Sequence, residues 1–318
     1  CAGADAHRNV ILPESFGYST MFKGSRSHLE DDIAGGNRVQ HTGTGEVYRG
    51  NIDRLIARIA QNKGIDLGQY RRSYLERRVA ARLRVLNLHT YRQYIDYLNQ
   101  HAGEYEKLLD TLTINVTDFF RDPEVYRVFN NEIVPAMIEE KLRSRHRMIR
   151  VWSAGCATGE EPYSIAMSFL DAFGEDADRF MFTVLGTDLD VNALERARQA
   201  EYPIDPLKYR PKPLQVRYVQ AGSDTFRIAP EVTARVRFRP LNLFTDRPVN
   251  MVDVIFCRNV FIYFNRDEQE RVLERFWSSL ARGGYLVLGR SEKMAASMIG
   301  RFELVSGRDR IYRKPTGS

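Results

Sequence analysis

The sequence predicts a two-domain α/β protein: a small all-helical unit, then a doubly wound, mostly parallel sheet of Rossmann-like type carrying a small antiparallel insertion. Three observations predict it. Apolar residues between about 48 and 113 recur at helical spacing, and near-continuous apolar runs alternate with helical stretches after residue 148. The alternation breaks once, at about 205–240. The 318 residues suffice for one large domain and a smaller one, and 43% hydrophobic with 28% charged residues is the composition of a globular chain.

Taken in order, residues 1–47 hold Gly35-Gly36 and Gly43-Thr44-Gly45 among scattered polar residues without a period. They read as an unassigned, flexible extension. The chain starts at Cys1 rather than Met, which fits a trimmed sequence, and nothing upstream supports a lipid-modified cysteine. Ile52, Leu55, Ile56 and Ile59 fall at i, i+3, i+4 and i+7 and give one apolar stripe, which Gly64 ends. The sets Leu75, Val79, Leu83, Leu86, then Tyr91, Tyr94, Ile95, Leu98, then Tyr105, Leu108, Leu109, Leu112 repeat the design. This gives a domain of about four helices over 48–113. A linker fills 114–147, with a helix from about Pro123 to Leu142 whose basic end, Lys141 to Arg147, suits the helix dipole. From 148 to 318, strands at Ile149–Trp152, Phe182–Leu185, Val252–Phe256 and Tyr285–Leu288 alternate with helices at about 161–173, 190–200 and 266–281. Pro206, Pro211 and Pro213 precede the short runs Val216–Val219, Thr225–Ile228 and Val236–Phe238, which read as the antiparallel insertion.

Several function classes are excluded at this level. No apolar stretch approaches the roughly 20 residues of a membrane span, and no leader pattern is present. Three cysteines (Cys1, Cys156, Cys257) without C-x-x-C spacing give neither a disulfide framework nor a zinc site. The expectation is a cytoplasmic chain in which Cys156 and Cys257 are packing residues. A formal charge of +6, from 47 basic and 41 acidic residues, is modest for a nucleic-acid binder. It is concentrated, however: Arg71, Arg72, Arg77, Arg78, Arg82 and Arg84 are interrupted by Glu76 alone.

After the first parallel strand comes Ser153-Ala154-Gly155-Cys156-Ala157-Thr158-Gly159-Glu160-Glu161. Ligands of open α/β sheets bind at the carboxyl ends of strands, where small residues let the backbone come close and the next helix offers free N–H groups. Tight strand-to-helix packing asks for the same residues, so the loop alone leaves both readings open. The second strand ends in Gly186-Thr187-Asp188-Leu189-Asp190. An acid there accepts hydrogen bonds from ribose hydroxyls; Asp188 is the better candidate, because Asp190 is placed to cap the following helix. Together these signals favour an adenosine-type ligand, either a dinucleotide or S-adenosylmethionine. Glu160 and Glu161 decide against a pyrophosphate, which they would repel, and suit a cationic sulfonium.

Four segments then carry a family resemblance: Thr113-Ile114-Asn115-Val116-Thr117-Asp118-Phe119-Phe120-Arg121; Val151 through Ser164; Phe256-Cys257-Arg258-Asn259-Val260-Phe261-Ile262-Tyr263-Phe264; and Gly289-Arg290-Ser291-Glu292. In this order they resemble the motifs of the bacterial chemotaxis receptor glutamate O-methyltransferases, over about residues 48 to 313. The resemblance implies a helical domain followed by an S-adenosylmethionine-dependent methyltransferase domain with a β-subdomain. It further implies cofactor contacts at Asn115, Thr117, Arg121, Gly155, Glu161 or its neighbour Glu160, Asp188, Asn242, Leu243, Arg258 and Asn259, with Tyr263 near the transferred methyl.

On this reading a receptor glutamate attacks the methyl group and S-adenosylhomocysteine is the product. A carboxylate with a pKa near 4.3 is already ionised at neutral pH, so the absence of a Ser/His/Asp or Cys/His arrangement is expected. Arg121 would steer the carboxylate and Tyr263 orient it. Arg71, Arg78 and Arg82 share one stripe at 100° per residue and, by the resemblance, face the cytoplasmic helical region of a chemoreceptor, whose glutamates a cationic stripe attracts. A solvated helix face is the plainer reading of that stripe. The Ala221-Gly222-Ser223-Asp224 loop is a few residues shorter than in members that dock on a receptor C-terminal pentapeptide, which points to action without that tether. Two rivals are weighed: a nucleic-acid methyltransferase, disfavoured by the lack of an Asn/Asp-Pro-Pro-Tyr-like motif, and a non-catalytic cofactor-binding module, disfavoured by Arg121 and Tyr263.

Overall fold

The computed structural model describes residues 45–63, 66–112, 115–204 and 213–317. The extension expected over 1–47 lies outside the described residues up to position 44, as do Gly64, Thr113, Ile114, Pro206 and Pro211. Four helices open the described chain: α1 (Gly45–Lys63), α2 (Arg72–Val85), α3 (Tyr91–Gln100) and α4 (Ala102–Leu112). The apolar stripes meet in one core, with Ile52, Leu55, Leu75, Tyr94 and Leu108 at 0–2% exposure. Thr90 begins α3 with a reciprocal cap, its hydroxyl accepting from Gln93 N–H and the Gln93 amide oxygen accepting from Thr90 N–H. Glu104 is buried beneath these helices and is satisfied there by two 2.7 Å bonds from Arg82 and one of 3.0 Å from the Tyr94 hydroxyl.

The connecting helix is interrupted. It runs as α5 (Pro123–Val128), a π-helical turn at Phe129–Ile133, and α6 (Val134–Arg143). Pro135 is the physical reason, since it cannot donate to the carbonyl four residues back and its ring crowds that carbonyl; the wider turn relieves both.

The second domain alternates as expected: β1 (Met148–Ala154), α7 (Glu160–Phe173), β2 (Met181–Asp188), α8 (Val191–Gln199). The insertion follows, with β3 (Glu201–Pro203), α9 (Pro213–Arg217), β4 (Val219–Ala221), β5 (Thr225–Ile228) and α10 (Pro230–Thr233). Then come β6 (Val236–Pro240), β7 (Val252–Cys257), α11 (Arg266–Ser279), β8 (Leu280–Leu288), β9 (Glu303–Ser306) and β10 (Ile311–Arg313). The main sheet has the order β6-β2-β1-β7-β8-β10-β9, parallel except for β10, which is antiparallel to both its neighbours. Apolar side chains cover both its faces, in one core around Phe169, Val184 and Phe256 and another around Trp152, Leu273 and Phe276.

Two expectations change. Val236–Phe238, read as part of the insertion, pairs in parallel with β2 as an edge strand of the main sheet (Val184 opposite Val236). The small sheet is instead β3-β5-β4, so the insertion begins at Glu201. Val216 and Arg217 end the helix α9 rather than start a strand. Short apolar runs are compatible with either state, and only their tertiary partners decide.

Replacing Arg82 by Ala should cost about 3–5 kcal/mol, because it strands the Glu104 carboxylate in a buried site. Urea unfolding followed by tyrosine fluorescence checks this, and an unchanged midpoint would show that the pair does not hold the helices together.

Candidate functional site

The sheet reverses its winding between β1 and β7, and the crevice above the carboxyl ends of these strands is where such a sheet receives ligands. A pocket lies there. It is lined by the loop after β1 (Gly155, Cys156, Ala157), the end of β2 (Asp188, Leu189), the segment after β6 (Leu241 to Phe244) and the segment after β7 (Arg258 to Val260, Tyr263, Phe264). Asn115, Val116, Thr117 and Arg121 close one side, and Tyr70, Tyr74 and Leu112 of the helical domain close another.

Local conformation shapes each wall. Gly155 has φ +78°, and a Cβ there would stand 2.5 Å from a Val260 methyl, so the two loops touch at backbone distance. Its N–H and that of Cys156 both donate to Thr187 O, at 2.8 and 3.0 Å, which fixes the turn to β2. The Asp188 carboxylate accepts from Ala157 N–H at 2.8 Å and from Asp190 N–H at 3.0 Å. Burial raises its pKa against the pull of those two N–H groups. Asp190 caps α8 through Ala193 N–H (3.0 Å), as expected, and its other oxygen accepts from the Asn115 amide at 2.7 Å.

Arg258, whose side chain is 2% exposed, ties the walls together. It reaches Glu161 at 3.3 Å, Asp122 at 2.6 Å and the Arg121 carbonyl at 2.8 Å. Glu161 also accepts from the Ser153 hydroxyl at 2.8 Å; its pKa is raised by burial, which Arg258 opposes. Arg121 donates to Val116 O at 2.8 Å, holding its own loop. Asn259 lines the pocket, and its side-chain oxygen is buried without a partner. The Tyr263 ring packs 4.7 Å from that of Tyr74, and burial raises its pKa, with Arg78 and Arg121 pulling the other way.

The pocket thus gathers Asn115, Thr117, Arg121, Gly155, Glu161, Asp188, Asn242, Leu243, Arg258, Asn259 and Tyr263 from the sites expected in the sequence. Glu160 does not line it: the Thr158 hydroxyl donates to its carboxylate at 2.7 Å, and burial pushes its pKa up to about 7. Cys156 and Cys257 are both free and buried, Cys156 at the pocket wall. Tyr70, Tyr74 and Phe244 went unread. Phe244 could have been found beside Asn242 and Leu243, but nothing local marks two tyrosines at the start of an arginine-rich helix. Tyr70 meets the rings of Phe264 (5.5 Å) and Phe244 (6.3 Å), and Arg71 N–H donates to Tyr263 O at 2.8 Å, which fastens α2 over the pocket.

The arginine stripe divides. Arg82 is bound to Glu104, and Arg71 donates through Nε to Phe264 O at 3.0 Å, so both hold the structure itself. Arg72 pairs with Asp53 and Glu76. Arg77, Arg78 and Arg84 show no ion pair among the described residues. Arg78 leans its guanidinium over the Tyr74 ring at 5.8 Å and leaves a buried Nε without a partner.

The family described as CheR methyltransferase, SAM binding domain, matches residues 115–311, and the CheR methyltransferase all-alpha domain matches residues 50–113. The chain is similar to the chemotaxis protein methyltransferase of Escherichia coli, with 36% identity covering 76% of this chain and 84% of that one. It is also similar to that of Borreliella burgdorferi (34%, covering 77% and 89%) and to chemotaxis protein methyltransferase 2 of Pseudomonas aeruginosa (33%, covering 77% and 86%).

Gly155→Ala should weaken S-adenosylmethionine binding at least about tenfold, since the left-handed backbone and the Val260 contact both resist a methyl group; calorimetry reads it, and unchanged affinity would dismiss the cradle. Glu160 gives a pH signature. The folded chain keeps its proton up to about 7 while the unfolded chain loses it near 4.5, so its stabilising contribution is present below about 4.5 and is lost as pH rises to about 7. Glu160→Gln should therefore gain on the wild type between pH 5 and pH 8, by on the order of 2–3 kcal/mol in ligand-free thermal unfolding. A constant difference across that range would rule the buried carboxyl out.

Proposed function

The chain belongs to the CheR methyltransferase family, and from that premise we propose that it methylates glutamate side chains in the cytoplasmic helical region of a chemoreceptor. S-adenosylmethionine is the donor and S-adenosylhomocysteine the product. The observation that carries this reading is a pocket in which Arg121 and Tyr263 stand beside an adenosine-type cradle, with Tyr74 of the arginine-rich helix α2 in its wall. No helix among the described residues is long and apolar enough to cross a membrane, and the reading places the enzyme in the cytoplasm.

The residues present fit the cofactor. Asp188 is held by two backbone donors at the end of β2, where ribose hydroxyls are bound in such sheets. The partnerless Asn259 oxygen suits the amino group of the methionine part, and the Gly155 cradle admits close backbone approach. Asn115, Thr117, Arg121, Glu161, Asn242, Leu243 and Arg258 complete the set. When bound, the cofactor supplies a methyl group on a cationic sulfur, open to displacement by an oxygen anion.

The protein's work is placement. An incoming glutamate needs no base, being ionised at neutral pH. The Arg121 guanidinium draws that carboxylate in. Burial keeps the Tyr263 phenol protonated, so it donates a hydrogen bond to the carboxylate instead of repelling it. Tyr74 and Tyr263 exclude water from the point of attack, which favours in-line alignment. On α2, Arg77, Arg78 and Arg84, unpaired among the described residues, are the charges available to attract a glutamate-rich helix, with Arg71 and Arg82 holding their platform. The hairpin between β4 and β5 closes tightly through Gly222 N–H and Thr225 O (2.8 Å), which supports action without a pentapeptide tether.

Incubation with labelled S-adenosylmethionine and receptor cytoplasmic fragments tests the reading. Label should appear on glutamates and be released by mild base, as carboxyl methyl esters are; base-stable label, or none, would overturn it. In the same assay Tyr263→Phe should lower kcat about tenfold while leaving cofactor affinity nearly unchanged. Arg78→Glu should raise the KM for receptor, with a deficit that shrinks as salt is added. Wild-type kinetics for Arg78→Glu at low salt would remove the docking role.

A further inference from the structure

Of the four motifs, Gly289-Arg290-Ser291-Glu292 has no part in the site as described. Glu292 does not line the pocket and is 3% exposed. Its carboxylate is nonetheless fully engaged, and with backbone alone: Oε1 accepts from Phe261 N–H at 2.7 Å, and Oε2 accepts from Gly289 N–H at 2.6 Å and Asn259 N–H at 3.1 Å. The Gly289–Glu292 turn is closed on itself by Glu292 N–H to Gly289 O at 2.8 Å, so the anion is fixed to the end of β8. There is no slack in this arrangement. A Cβ at Gly289 would stand 2.7 Å from Glu292 Oε2 and 2.8 Å from Asn259 N.

The segment that Glu292 grips carries the pocket's chemistry. After β7 the chain is in neither strand nor α-helix until α11, and Asn259 has φ +61°. The N–H groups of Asn259 and Phe261 would be orphans in a buried loop, costing the hydrogen bond each has lost from water. One carboxylate satisfies both. The far end of the segment is held separately, by the Gln269 amide on Phe261 O (2.8 Å) and Phe264 O (3.1 Å) and by Arg71 N–H on Tyr263 O. At the near end Arg258 is anchored through its side chain, and Glu292 holds the backbone N–H of Asn259, whose side-chain oxygen is buried without a partner.

We infer that Glu292 is a positioning residue for methyl transfer: its carboxylate binds the N–H groups of Asn259 and Phe261 and, together with the anchors at the far end, sets where Asn259 and Tyr263 stand in the pocket. The role rests on assigning those two residues to the methyl-transfer site. It requires an anion with two accepting oxygens, because an amide of the same shape turns an NH2 toward one of the N–H groups whichever way it is flipped.

The test is Glu292→Gln, with Tyr263→Phe and the double variant, all in the full chain. Wild-type methylation of receptor fragments runs in parallel, so a failure of the reaction assignment appears as an inactive wild type and not as a result about Glu292. Hydrogen exchange of the ligand-free proteins reads the loop directly. Amides of residues 258–263 should lose protection in Glu292→Gln while the β1 and β2 amides keep theirs. Turnover should fall by at least about tenfold, as expected when reacting groups shift by a fraction of an ångström to an ångström. The loss should be much smaller when Glu292→Gln is added to Tyr263→Phe, since two changes acting on one contact do not add. Unchanged loop protection, a turnover loss below tenfold, or a loss that adds in full to that of Tyr263→Phe each overturns the inference. If Glu292→Gln does not fold, Glu292→Asp keeps the charge but draws it back by one methylene, and the same three readings apply.

Discussion

A guanidinium taken out of water needs acceptors for most of its donors and an opposite charge for its own, and where it finds them fixes the surrounding chain. Arg258 is in that position, with a side chain almost wholly withdrawn from solvent. Its acceptors come from Glu161 at the start of α7 and from the neighbouring Arg121 carbonyl and Asp122 carboxylate, two places well apart from each other and from Arg258 in sequence. A buried pair of this kind contributes little net stability over an apolar substitute, but losing one member is costly. Its effect is registration: it brings the segment bearing Asn115, Thr117 and Arg121 to the carboxyl end of the sheet and holds it there.

Two carboxylates extend the same logic. Asp188, at the end of β2, takes two backbone N–H groups, and Glu292 takes three from the segments after β7 and β8. In each case a loop that cannot satisfy its own N–H groups is organised around an internal anion, and the cost of burying the charge is offset by charge-assisted bonds. The walls of the pocket are therefore stiff, while its roof is supplied by another domain. Tyr70, Tyr74 and Leu112 come from the helical domain, joined to the loop after β7 by Arg71 on Tyr263 O and by Asn265 N–H on Gln69 O at 3.0 Å. The pocket lining and the contact between domains thus share one surface.

The arginine-rich helix shows why counting charges is insufficient. In sequence its arginines face a single acid, Glu76. In the fold, Asp53 and Glu104 arrive from other helices and occupy Arg72 and Arg82. What remains without an ion pair among the described residues is Arg77, Arg78 and Arg84, with Arg78 over the Tyr74 ring that packs on Tyr263.

What the sequence by itself determined is whatever follows from local pattern: helical stripes, buried parallel strands, the small-residue turn after β1, the acid ending β2, and the cap at Asp190. These depend on residues within one turn or one strand of each other, and the motif order carried most of the pocket lining with them. The tertiary structure alone decided matters of partnership. Val236–Pro240 alternates apolar and basic residues equally well for either sheet, and only its pairing with β2 placed it at the edge of the main one. Glu161 rather than Glu160 faces the pocket because α7 rotates one toward Arg258 and the other toward Thr158. Tyr70, Tyr74 and Glu292 acquire their roles from groups that folding brings to them from 30 to nearly 200 residues away, and no local period encodes such a distance.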